Sequence, residues 1–140
     1  MPKIIVSFGI IIFFFTICFA QKSANPIVKK KSSRVIEISN MLGYAGGMKC
    51  LKENKPIIGT IVKRWFEDDE VTLAGIIVRN AKDKRKSVNI DSDHMFLLGR
   101  TTPEILSDFL EKDKKVQIWY FDCSGGGSGV FSYANKIKVI

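Results

Sequence analysis

His94 is the one histidine of the chain, and no other side chain titrates near neutrality without help from its surroundings. It closes the run Asp91-Ser92-Asp93-His94, two carboxylates and an imidazole within four residues. Such donors hold divalent ions when their spacing is right. This run has neither the calcium-loop spacing nor the paired-histidine helix pattern of zinc hydrolases, and acids at a strand end usually shape a turn. A nucleophile and base would need Cys50, Cys123 or a serine placed beside His94, and no signature joins them. Glu67-Asp68-Asp69-Glu70 offers carboxylates for acid and base work, but consecutive acids before a strand read as an exposed turn. The sequence therefore assigns no catalytic residue, no metal ligand and no cofactor.

Residues suited to binding are better represented. Lys82, Lys84, Arg85 and Lys86 form a basic tip after an apolar run, and Trp65, Phe66, Trp119, Tyr120 and Phe121 supply aromatic faces on two others. Cations around a stacking surface are the apparatus for single strands and sugars, so the candidate ligand-binding residues are Trp65, Lys82, Lys84, Arg85, Lys86, Trp119 and Tyr120. The plainer reading is that alternate aromatics fill a core and the lysines keep a strand edge soluble. The glycine run of residues 125–129 lacks the lysine and following helix of a phosphate cradle and reads as a hairpin loop.

Residues 1–20 place Lys3 before a near-continuous apolar run closed by Cys18 and Ala20, the layout of a secretory signal peptide cleaved before Gln21. An uncleaved anchor is the alternative. Lipidation of Cys18 is disfavoured by the bulky Ile17 before it. After the leader, 21 basic residues face 14 acids. Five of the cations precede Val35 with no acid among them, so residues 21–34 read as a flexible basic arm and residues 35–140 as a single small domain with an excess of two positive charges. Cys50 and Cys123 survive cleavage, and an even count in an exported chain points to a disulfide, with reduced, buried cysteines as the competing reading.

The elements that must position these residues follow from periodicity. Val35, Ile38, Met41 and Leu42 recur at helical spacing, with a strand over residues 34–38 as the competing reading. Strands are expected over 59–66, 71–80 and 87–91, then a helix with Thr102 as cap, Pro103 at its first position and an apolar stripe of Ile105, Leu106, Phe109 and Leu110. Strands over 116–123 and 130–140 complete the chain. The order of three strands, a helix and two strands over residues 57–140 resembles the OB-fold, a five-stranded Greek-key barrel. The expected fold is thus mainly β with α: a five-stranded OB-like barrel, a helix between strands 3 and 4, and a short N-terminal helix before it. The resemblance implies binding of oligonucleotides, oligosaccharides or proteins on one face.

Two functions remain in view. The first is an exported, non-enzymatic binding module, secreted or periplasmic, held to an anionic envelope surface, a polyanion or a protein partner by its basic arm and hairpin tip. The alternative is a secreted metal-dependent hydrolase of nuclease-like type, using the acids near Asp91 on the same barrel.

Overall fold

The computed structural model describes residues 24–43, 48–125 and 129–140. Residues 1–23, which carry the expected signal peptide, its cleavage point and the start of the basic arm, lie outside the described residues. In the described chain eight strands form one sheet: β1 (Ile27–Lys31), β2 (Arg34–Ser39), β3 (Lys49–Cys50), β4 (Ile57–Phe66), β5 (Leu73–Arg79), β6 (Arg85–Asn89), β7 (Lys115–Ser124) and β8 (Val130–Val139). Two short helices, α1 (Ser92–Met95) and α2 (Thr102–Phe109), stand between β6 and β7.

Five of the strands close on themselves. The pairing runs β8-β6-β5-β4-β7, and β7 returns to β8. Every neighbour is antiparallel except β6 and β8, which meet in parallel at Asn89 and Tyr133. Followed round the barrel from Arg79, one route passes Thr60 and Lys115 to the end of β8, and the other passes Arg85 to its beginning. That offset of about ten residues tilts the strands steeply, and with only five strands the barrel is narrow enough to be filled by side chains. The result is a closed, mixed, OB-like small barrel with extra strands. Its long strand β4 bends at irregularities near Ile61 and Trp65, which is how one strand serves both sides of so tight a closure.

Alternation supplies the core. Ile61, Ile76, Val78, Val88, Val116, Ile118, Ala134 and Ile137 fill the interior. Met95, Leu106, Phe109 and Leu110 from the helical segment, and Ile38 and Met41 from β2 and its end, complete it. Helix α2 begins with Pro103 in its first turn, as its sequence signals. Thr102 is its first residue and not its cap; the hydroxyl donates back to the Gly99 carbonyl at 2.6 Å.

Three expectations are corrected at the amino-terminal side. No helix covers residues 35–42: Arg34–Ser39 is strand β2, because Val35, Ile36 and Ile38 are β-branched and Ile38 finds a partner in Ile137 of β8. The basic segment is not a flexible arm from Ile27 onward, since β1 pairs with β2 along its length. Ser32 and Ser33, at φ 50° and 68°, supply the two left-handed residues that a tight hairpin turn needs. Finally, the helices come late. Counted along the described chain they fall between the sixth and seventh of eight strands, because three strands precede Ile57 where an arm, a helix and a loop were expected; among the five barrel strands they follow the third.

Candidate functional site

Beside the start of β4, the end of β5 and the start of β6 lies a shallow cavity of about 220 Å³, lined by Ile57, Ile58, Val78, Asn80, Lys84, Arg85 and Lys86. The β5–β6 connection builds its rim. Asn80 Oδ1 accepts the backbone N–H groups of Lys82 at 2.9 Å and Lys84 at 3.0 Å, and Asp83 turns the chain with φ 60°. This Asx-type turn fixes where the lysines emerge. Val78 sits opposite Lys86 in the β5–β6 ladder, so the ammonium stem rises directly beside an apolar floor made by Ile57, Ile58 and Val78.

No acid lines this cavity. Asp83, the nearest in sequence, is engaged by Arg79 at 3.6 Å. Among the described residues Lys84 and Arg85 make no ion pair. Lys86 lies over the Tyr120 ring, 5.1 Å from its centroid, a contact that holds the cation at the cavity without neutralising it. Burial, and then the negative charge of Asp122, push the Tyr120 phenol above the usual tyrosine range. The ring therefore remains a neutral platform under Lys86 at physiological pH.

The candidate residues divide as follows. Lys84, Arg85 and Lys86 share the cavity, Tyr120 joins them through Lys86, and Lys82 is exposed at the adjoining tip. Trp119 is the neighbour of Tyr120 in a strand, so it faces the other way, where Lys136 lies 4.5 Å from its ring centroid. Trp65 is elsewhere. It pairs with Gly75 near the far end of β4, and its ring covers that glycine so closely that a Cβ there would come within 2.0 Å of Cζ2. The structure thus gives Trp65 a packing role and does not bring it to the basic tip. Ile57, Ile58 and Asn80 were not foreseen; the antiparallel register of β4 with β5, Thr60 against Arg79, places the start of β4 beside the β5–β6 tip.

The Asp91–His94 run is occupied in holding the fold. Asp91 accepts the N–H of Gly43 at 2.9 Å and that of His94 at 3.3 Å. His94 Nε2 lies 3.1 Å from the Ala24 carbonyl and 3.0 Å from that of Asn40, so its N–H clasps the entry to β1 and the exit from β2 against α1. Gly43 lies against the imidazole. The other acidic run forms the β4–β5 turn, where Asp69 accepts hydrogen bonds from the Thr72 hydroxyl and from the backbone of Thr72 and Val71. These bonds, the hydroxyl's first, hold its carboxyl below the usual range. Among the described residues no three His, Cys, Asp or Glu side chains gather as a metal site.

Cys50 and Cys123 are joined, and they are direct register partners on β3 and β7. The chain matches no protein-family model, no curated protein and no solved structure.

Proposed function

We propose that this chain is an exported, non-enzymatic binding module that holds an anionic partner at the basic end of its barrel. The observation that carries the reading is the cavity rim: Lys84, Arg85 and Lys86 stand around an apolar floor with no acid among the lining residues. Cations left without carboxylate partners attract anions from solution in a salt-dependent manner. The engagement of Asp91 and His94 in structural hydrogen bonds weighs against the hydrolase reading, which needed those groups for a metal ion. The disulfide supports export, since such bonds persist in oxidising compartments, and residues 1–20 supply the address.

Lys84→Gln with Arg85→Gln tests the site, because neither side chain has an ion pair among the described residues. The variant should keep its circular dichroism and elute from immobilised heparin at clearly lower salt than the wild type. Unchanged elution, or retention indifferent to salt, would remove the electrostatic basis of the proposal.

A further inference from the structure

Beyond the basic rim the same end of the molecule carries an apolar tip. Leu51, Val130 and Phe131 are 69%, 63% and 47% exposed, and the pairing places all three at the same end of the β7–β8 ribbon. Phe131 is opposite Cys123, which is bonded to Cys50, and Leu51 follows Cys50 with its N–H on the Asp122 carbonyl at 2.9 Å. Val130 faces Ser124 in the last rung of the β7–β8 ribbon. Single exposed apolar residues need no explanation, but three at one disulfide-stapled end, with Val130 and Phe131 on opposite faces of the ribbon, leave an apolar tip.

The parallel contact of β6 with β8 puts this apolar tip beside the basic tip. Asn89 meets Tyr133, so four residues back along each strand Arg85 comes level with Gly129, next to Val130. Lys49 pairs with Ser124 at that same tip, and Lys52 and Lys55 are exposed on the segment leading to β4. Lys82, Lys84, Arg85 and Lys86 flank it from the β5–β6 side. Glu53 is the one exposed acid between Lys49 and Ile58.

We infer that the anionic partner is a phospholipid bilayer, met end-on, with Leu51, Val130 and Phe131 entering the headgroup boundary while the surrounding lysines and Arg85 neutralise lipid phosphates. The inference rests on the function proposed above and deepens it. A soluble polyanion complements the cations and offers nothing to the apolar side chains. An anionic bilayer complements both, because the apolar residues and the cations share this end of the molecule. That is the two-signal logic by which a protein lies on a membrane without crossing it. The Cys50–Cys123 bond holds Leu51 and Phe131 in one arrangement, so insertion orders little that is not already ordered.

The test is flotation with vesicles of phosphatidylcholine, with and without phosphatidylglycerol, run beside heparin elution. The wild type should float with the phosphatidylglycerol vesicles only. A Leu51→Ser, Val130→Ser, Phe131→Ser variant should lose vesicle affinity by about tenfold or more and keep its heparin elution, since only the apolar contribution is removed. Vesicle binding unaltered by those three substitutions, or heparin binding with no vesicle binding by the wild type, overturns the bilayer inference and leaves the anionic site standing. Failure of the wild type to bind either partner overturns both.

Discussion

At the scale of single residues the aromatic and histidine side chains illustrate how one residue type takes different work from its neighbours. Trp65 and Trp119 both sit in long strands, yet the first covers a glycine and the second lies against an ammonium group. A bare Gly75 is required because the Trp65 ring occupies the space of its Cβ. Gly75→Ala should therefore cost about 1–3 kcal/mol, the usual range for overpacking, although alanine is the better residue for a strand on entropy alone. Urea denaturation measures it. In a Trp65→Leu background the same substitution should cost less, and equal costs in both backgrounds would show that the ring is not the obstacle. His94 is the parallel case: its chemistry attracted a metal reading, and its place in the fold is a clasp between Ala24 and Asn40.

Among the elements, the β3–β7 staple is the most exposed to test. β3 has only two residues, and beside its ladder and the backbone bonds of Leu51 and Asn54 to β7 the disulfide ties it down. The bond spans 73 positions of sequence, and loop-closure entropy in the unfolded chain assigns it about 4 kcal/mol of stabilisation. A Cys50→Ala, Cys123→Ala variant should lose stability on that order in chemical denaturation. Retention of full stability would mean that the barrel ladder alone fixes this end. The pairing was legible from cysteine count and the expectation of export, and the strands from Ile57 onward from alternation and turn residues, because those signals are local. The amino-terminal third was less legible. Val35, Ile38, Met41 and Leu42 satisfy helical spacing and a β-branched strand alike, and the choice is made by Ile137 on β8, about a hundred residues away. The cavity was half legible: Lys84, Arg85 and Lys86 are neighbours in sequence, whereas their floor comes from β4 through its register with β5.

On the scale of the whole molecule, the small excess of charge after Val35 suggested a weak field, and the fold changes that reading by sorting the charges. Lys49, Lys52, Lys55, Lys82, Lys84, Arg85 and Lys86 gather where β4 and β6 begin, whereas Glu67, Asp68, Asp69, Glu70, Asp91 and Asp93 lie where those strands end. The Ser92 hydroxyl donates to Glu67 at 3.2 Å, joining the two acidic stretches. The chain is therefore a charge dipole along β4, which at ten residues separates its ends by roughly 30 Å. Screening acts over ~8 Å at physiological ionic strength and ~30 Å near 0.01 M. The acidic end should consequently oppose binding of an anionic partner in dilute buffer and be invisible to it at physiological salt. Asp68→Asn with Glu70→Gln tests this while sparing Asp69, whose carboxylate holds Thr72 and Val71. The variant should bind phosphatidylglycerol vesicles and heparin more tightly than the wild type at low salt, with the two proteins converging as salt is raised. A gain that persists at physiological ionic strength would place the acidic turn in contact with the partner, which end-on docking through the basic tip forbids.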